Sequence, residues 1–338
     1  VASTLMCYVT LTHEPTILTV MGPSGAGKTT LLSVITSTLS PVFRTAGRVF
    51  LDGMDLSPLP PEQRRVGILF QDDLLFPHLS VGENLAFGLS ASVQGRATRQ
   101  ARIEDALDEI GLAGFSQRDP ATLSGGQKAR VALMRMLLSE PRALLLDEPF
   151  SRLDAELRAQ VRSLVFARAQ ARGLPVVLVT HDAEEAMFMS DNIIVMRDGE
   201  VQQTGRPVNL YCQPNSAFVA EFFGEVNRLE GCVTNGCIKT VLGEFSAPDH
   251  MQEGDSASIV IRHEALNIEP NGAGEDANAF VMEARLLGRA SLIHLSVPTG
   301  TEELHFHARV PGLNSLQTGS PVRITVDAAQ AFVFPATE

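Results

Sequence analysis

Gly22-Pro23-Ser24-Gly25-Ala26-Gly27-Lys28-Thr29, with Thr30 behind it, is the stretch that decides the fold. Two glycines with four residues between them, then Lys and Thr, make the pattern of a phosphate-wrapping loop. Glycines let the backbone curl until its N–H groups point inward at phosphate oxygens. Ile17–Met21 ahead of it reads as a buried strand, and Lys28–Leu39 behind it as a helix whose N-terminus adds a positive dipole end. Lys28 then offers a mobile charge to the β- and γ-phosphates, and the Thr29 hydroxyl a hard oxygen ligand for Mg²⁺. A strand before and a helix after argue against an ordinary glycine-rich turn. Alone, the loop says nucleotide and no more.

Outward from it, the chain to about Phe223 alternates apolar strands with helical patterns, the signature of an α/β domain with parallel strands. Ala143-Leu144-Leu145-Leu146-Asp147-Glu148 is a buried strand ending in two carboxylates. Asp147 is placed to hold Mg²⁺, and Glu148 to polarise an attacking water as general base. Val176–Val179 is a further core strand. Between the two, Asp154–Arg172 carries Leu157, Val161, Leu164 and Val165 at helical spacing and stops at Gly173.

After Gly224 turns become frequent, at Asn235-Gly236, Pro270-Asn271-Gly272, Pro298-Thr299-Gly300 and Pro311-Gly312. Ser258–Arg262, Ser291–Val297, Leu304–Val310, Val322–Val326 and Ala331–Phe334 read as short strands between them. The expectation is an α/β domain over residues 1–225 and a small all-β, barrel-like domain over 226–338.

Composition narrows the function. The net charge is 27 − 39 = −12, which argues against a broad nucleic-acid-binding surface. No apolar run approaches the roughly 20 residues needed to cross a bilayer, and no secretory signal opens the chain. Cys7, Cys212, Cys232 and Cys237 show no disulfide spacing. A hairpin at Asn235-Gly236 sets Cys232 diagonally across from Cys237, and the pair reads as buried thiols in a reducing compartment. His305 and His307 alternate on one strand face; without a third ligand in view, they read as a solvated face rather than a metal site.

Leu123-Ser124-Gly125-Gly126-Gln127-Lys128-Ala129-Arg130 resembles the signature of the ABC ATPases. Gln71 stands where that family's Q-loop glutamine does, and Leu75–Asn84 resembles the region behind it in importer ATPases. Ser151-Arg152-Leu153-Asp154 resembles the D-loop, with Arg152 a less usual choice. Thr180-His181-Asp182 resembles the switch-histidine segment. Phe222–Asn227, Ile261–Glu264 and Ala308–Gly312 resemble the TOBE-like β-barrel extension of importers for anions, ferric iron, polyamines, sugars or thiamine, although His263 replaces a usual Pro.

The resemblance implies a P-loop NTPase with a helical subdomain, followed by an OB-like barrel. It implies two copies sandwiching two ATPs, each between the phosphate loop of one subunit and Ser124, Gly125, Gly126 and Gln127 of the other. His181 is then expected at the γ-phosphate, Asp154 across the dimer, and Gln71 on Mg²⁺ or the attacking water. Transmembrane permease subunits are the implied partners, with a substrate-binding protein reached through them, at the cytoplasmic face of the membrane. Only 21 residues precede Gly22, fewer than the family usually has, and the chain begins with Val. The N-terminal strands are therefore read as incomplete. Tyr8, the only aromatic residue there, lies too close to Gly22 to stack on adenine and reads as packing. Two other readings stay open: a soluble ABC ATPase acting on nucleic acid or ribosomes, and an oxyanion-sensing regulator.

Overall fold

The computed structural model describes residues 16–70, 74–151, 153–270, 277–300, 302–312 and 316–336. Cys7, Tyr8, Gln71 and Arg152 lie outside the described residues. The chain divides into two compact units, Val1–Pro207 and Val208–Glu338.

In the first unit β1 (Ile17–Met21) leads to α1 (Lys28–Thr36), the two-residue strands β2 (Phe50–Leu51) and β3 (Met54–Asp55), α2 (Pro61–Arg64) and β4 (Val66–Leu69). A helical group follows: α3 (Val81–Gly88), α4 (Arg96–Glu109) and α5 (Gly125–Leu138). The chain then returns through β5 (Ala143–Asp147), α6 (Ala155–Arg172), β6 (Val176–Val179), α7 (Ala183–Met189), β7 (Asn192–Arg197) and β8 (Glu200–Gly205).

Six of these strands form one sheet in the order β4-β5-β6-β1-β7-β8. All neighbours are parallel except the β7–β8 hairpin at the edge. β1, β5 and β6 are buried at every position, which explains why they read as continuous apolar runs rather than alternating ones. Their register sets Val20 and Asp147 beside Val179, so three strand ends finish side by side. In open α/β sheets that carboxyl-end crevice is where ligands bind.

The helix expected over Lys28–Leu39 ends earlier, at Thr36, because Ser37 turns left-handed and closes it. α6 begins one residue after Asp154, whose side chain caps it, and ends at left-handed Gly173. The helical group has its own core, in which Val81, Leu85, Leu107, Leu112 and Val131 are almost fully buried.

The second unit opens on α8 (Pro207–Cys212) and α9 (Ala217–Phe222) and continues as β9 (Val226–Thr234), β10 (Cys237–Thr240), β11 (Gly243–Ser246) and β12 (Ser256–Arg262). After them come β13 (Leu266–Pro270), β14 (Ala279–Leu286), β15 (Ala290–Pro298), β16 (Glu303–Pro311), β17 (Pro321–Val326) and β18 (Ala331–Pro335). Two five-stranded antiparallel sheets, β11-β10-β9-β12-β18 and β13-β17-β14-β15-β16, enclose one core that includes Ile238, Ile259, Leu295 and Phe306. The division falls ahead of the boundary near residue 225 that turn frequency indicates. Helical periodicity assigns α8 and α9 to the α/β part, but Tyr211 of α8 donates to Glu264 at 3.0 Å and lies under the Arg262 guanidinium.

The hairpin at Asn235-Gly236 is present, with Thr234 opposite Cys237. Cys232 is exposed and Cys237 half-buried, so the reading of that pair as buried thiols fails, most plainly for Cys232, whose side of β9 faces solvent. His305 and His307 do share a face, but they are not alone there. His294 of β15 stacks on His307 with ring centroids 4.6 Å apart, and His263 stacks on the other side at 5.4 Å. Among the described residues no group of His, Cys, Asp or Glu is arranged to hold a metal ion.

Candidate nucleotide site

The phosphate loop is forced into shape at its first glycine. Gly22 leaves the end of β1 so close to β7 that a Cβ there would sit 2.3 Å from the Met196 carbonyl oxygen. Gly25 and Gly27 have φ of +84° and +99°, the left-handed region only glycine enters freely. Ala26 is buried and anchors the loop, while Pro23, Ser24 and Gly25 are exposed. Gly27 caps α1, and its carbonyl receives Leu31 N at 2.9 Å.

Lys28 folds over this loop and donates from Nζ to Gly22 O at 2.8 Å and Pro23 O at 3.0 Å. Partial burial lowers its pKa, opposed by the nearby charges of Glu148 and Asp147. Thr29 Oγ1 donates to Asp147 Oδ2 at 3.2 Å, joining helix α1 to the end of β5. Asp147 is 7% exposed, and burial pushes its carboxyl up despite the bond from Thr29. A hard hydroxyl oxygen and a poorly solvated carboxylate thus meet beside the lysine. Thr30 lies one residue deeper on α1 and is half-buried.

Glu148 follows Asp147 at a φ of +47°, left-handed for a side chain that gains nothing from that conformation. The turn brings its Oε1 to 3.1 Å from Nδ1 of His181, which stands at the end of β6. A small open cavity lies beside this pair, lined also by Ser151, Thr180 and Asp182.

The chain's own pattern has counterparts. Residues 9–151 match the model of the ABC transporter family, and residues 259–334 that of the TOBE domain. A Fe(3+) ions import ATP-binding protein of Agrobacterium fabrum is 46% identical over 306 residues, covering 89% of this chain and 86% of the relative. A second such protein, of Rhizobium meliloti, is 42% identical over 84% of this chain and 82% of its own length. The chain belongs to the ABC transporter family.

It is an importer-type ATP-binding subunit, an ATPase that carries a TOBE domain. A sulfate/thiosulfate import ATP-binding protein of Chromobacterium violaceum is 39% identical over 94% of this chain and 89% of its own length. Among solved structures, the dimeric ATP-binding cassette MJ0796 bound to ADP and Pi superposes with a TM-score of 0.52 at 32% identity, covering 57% of this chain and 86% of that one. These relatives do not favour the nucleic-acid or oxyanion-sensor readings. Among the described residues no helix is long and apolar enough to cross a membrane.

Not every residue named from the sequence of this ABC subunit joins the cluster. Ser124 caps α5 through a capping box, its Oγ accepting from Gln127 N at 3.3 Å while Gln127 Oε1 accepts from Ser124 N at 3.0 Å. Ser124 and Gly125 are exposed, and Gly126 packs so close to α6 that a Cβ would meet Leu157 at 2.4 Å. Among the described residues no hydrogen bond or ion pair joins Ser124–Gln127 to the phosphate loop of the same chain. Asp154 is exposed, and its Oδ1 accepts from Leu157 N at 2.9 Å.

Asn84, the last residue of the Leu75–Asn84 segment, has no role that the sequence assigns. It is fully buried, accepts from Phe76 N at 2.9 Å and donates to Phe76, Leu79 and Ser80 carbonyls. Arg135 of α5 reaches both Asn84 and Leu74 O, so the segment before α3 is fastened to the signature helix. A polar residue on an otherwise apolar face of α3 was the available signal.

Proposed function

We propose that this subunit hydrolyses MgATP at the three joined strand ends and completes that site only with a second copy of itself. The observation that carries the proposal is a division. Gly22–Thr30, Asp147, Glu148 and His181 converge, whereas the exposed N-terminus of α5 at Ser124–Gln127 stands apart from them. That terminus offers a hydroxyl, the backbone N–H groups of Gly125 and Gly126, and a positive dipole end, all suited to a γ-phosphate delivered by another protomer.

Thr29 and Asp147 fit Mg²⁺, because a hard cation relieves a buried carboxylate and accepts hydroxyl oxygen. When bound, Mg²⁺ would neutralise charge on the phosphate oxygens. Lys28 exchanges its carbonyl partners for the β- and γ-phosphates. Glu148 accepts the proton of the attacking water, and His181 both restrains that carboxylate and reaches the γ-phosphate. Asp154 is assigned to the contact between the two sites, and Gln71 to Mg²⁺ or the water.

The dimer is proposed to work beneath permease subunits at the cytoplasmic face, with a substrate-binding protein beyond them. An exposed apolar patch supports a docking surface at and before α3: Phe87 is 70% exposed, Leu74 is 57% exposed, and Phe76 meets Phe87 edge-on at 4.7 Å. Relatives named for ferric iron and for sulfate resemble this chain closely, so choice of solute is assigned to the other subunits. The β unit is assigned a regulatory or dimer-stabilising role without a catalytic group.

Glu148→Gln tests the reading. Its turnover is expected to fall by roughly 10²–10⁴-fold, the value of general-base assistance, while ATP binding persists. In size-exclusion chromatography this variant should run as a dimer with MgATP and as a monomer without it. Wild-type turnover, or a monomer that has bound ATP, would refute the assignment.

A further inference from the structure

The His181 side chain is 65% exposed, so packing alone does little to orient it. Its two neighbours in sequence must fix the backbone that carries it, and both are held. Thr180 is 2% exposed and donates its hydroxyl hydrogen to Glu185 Oε2 at 2.5 Å. With the hydrogen directed there, the oxygen is free to accept from Asp182 N, at 3.1 Å. Asp182 Oδ1 in turn accepts from Glu185 N at 3.0 Å. Thr180, Asp182 and Glu185 thus close a hydrogen-bonded ring around the single residue His181.

A second hold comes from α6. Arg158 Nη1 lies 3.5 Å from Asp182 Oδ2, and its Nη2 donates to Leu153 O at 3.4 Å. The turn carrying the histidine is therefore tied to the residue just before Asp154.

Glu185 is an expensive way to stabilise a seven-residue helix. It is 5% exposed, and burial pushes its carboxyl up, against the bond from Thr180. Burying a carboxylate costs free energy unless it is paired. Capping does not explain it, since Asp182 already caps α7. The charges of Arg158 and Arg162 favour the carboxylate, and what it does at the turn is orient one hydroxyl beside His181.

We propose that Glu185, acting through the Thr180 hydroxyl, is a positioning residue that sets His181 against Glu148. The inference rests on the role given to His181 above. Neither Glu185 nor Thr180 is given a contact with the nucleotide or the water in that reading. Their loss should therefore lower kcat while leaving the affinity of the phosphate loop alone.

The test is steady-state MgATP hydrolysis by the full chain carrying Thr180→Val, Thr180→Ser, His181→Ala and the Thr180→Val/His181→Ala pair. Val keeps the shape of Thr and removes the hydroxyl; Ser keeps the hydroxyl. Thr180→Val should lower kcat about tenfold or more with KM for ATP within about twofold, and Thr180→Ser should stay within about threefold of wild type. In the His181→Ala background Thr180→Val should add no further loss, because both changes act on one group. Glu185→Leu, checked for folding by circular dichroism, repeats the measurement if Thr180→Val fails to fold, and the same non-additivity is expected.

Wild-type kcat in both Thr180→Val and Glu185→Leu, with His181→Ala slow, would overturn the positioning role and leave the role of His181 standing. A loss of equal size in the His181→Ala background would also overturn it, since the effect would not pass through the histidine. Wild-type turnover in His181→Ala itself would remove the histidine's role and this inference together.

Discussion

Both units bury polar groups that water would otherwise solvate, and they treat them differently. In the first unit each buried carboxylate has a hydroxyl partner, Thr29 for Asp147 and Thr180 for Glu185, although Oε1 of Glu185 has none. In the second unit the buried ring atoms His263 Nδ1 and His294 Nε2 have no hydrogen-bond partner. Arg262 is fully buried there too, over the Tyr211 ring and with one bond to Tyr211 O. The first pattern directs charge into an open crevice where a cation and phosphate can use it. The second fills a seam between two sheets, where Asn227 of β9 bonds His307 of β16 through both its N–H and its carbonyl. Buried polarity marks chemistry where it points into an open crevice, and architecture where it stacks inward.

The largest effect that would sharpen this contrast comes from two glycines. Gly22→Ala drives a Cβ to 2.3 Å from a backbone oxygen that cannot step aside, whereas Gly312, at φ +75°, has nothing within 4 Å of its own Cβ position. Displacing the phosphate loop by about 1 Å is expected to cost on the order of 10²-fold in turnover. Gly312→Ala should cost about 1–2 kcal/mol of stability in the β unit, the price of a left-handed L-residue, with turnover unchanged. Steady-state hydrolysis and thermal melts of both variants decide it; equal losses of turnover would erase the distinction between the units.

Acidification should separate the units next. Burial lowers the pKa of His263 and His294, each further lowered by neighbouring His307. Glu225 and Glu264 oppose the shift at His263 and Glu283 opposes it at His294, while Arg309 beside His263 adds to it and His305 adds to it at His294. The unfolded chain then binds more protons than the folded one below the ordinary imidazole value of about 6.5. This stability is complete above that pH and is lost as pH falls through the lowered folded-state values. Asp147 and Glu185 run the opposite way, since their raised pKa values make the folded state the better proton acceptor. Their cost is present at neutral pH and eases as acid protonates them.

Calorimetry between pH 7.5 and 5.5 should therefore show the β-unit transition falling by roughly 2–5 °C, as about 1 kcal/mol does in a domain of this size. His263→Asn should flatten that response. Parallel movement of both transitions, unchanged by His263→Asn, would break the comparison.

The sequence was most readable where one residue type has one physical use. β1, β5 and β6 declared themselves as short apolar runs, and the loop, the carboxylate pair and the histidine each followed one of them. The turn Asn235-Gly236 has the left-handed geometry that pair favours. What could not be read depends on distant partners. His263, His294, His305 and His307 come from three different elements, and only the last two show a spacing. Tyr211 sits on a helix whose periodicity says nothing of Arg262, fifty-one residues on. Glu185 lies within a helical pattern that looks solvent-facing until Thr180 is seen to point at it. Gln71 lies outside the described residues, so its role stays with the proposal.

The smallest expected effect compares two residues in the same backbone region. Asn235 has φ +53° and Glu148 has φ +47°. Asn reaches that region with help from its short polar side chain, and in the β hairpin it is the residue the turn wants. Glu has no such advantage, and a left-handed L-residue costs about 1–2 kcal/mol. Glu148→Asn removes much of that strain and forfeits the pair with His181, whose 65% exposed side chain limits the pair to about 0–1 kcal/mol. The balance is a stabilisation of roughly 0.5–1 kcal/mol in the first unit, accompanied by loss of turnover, because Asn cannot serve as base. The mirror substitution, Asn235→Glu, should destabilise the β unit by a similar amount and leave turnover intact. Denaturant midpoints and hydrolysis rates of the two variants test the pair. A Glu148→Asn protein less stable than wild type would mean that the carboxylate holds the strand end together, and that strain is not what the active site retains for the sake of its base.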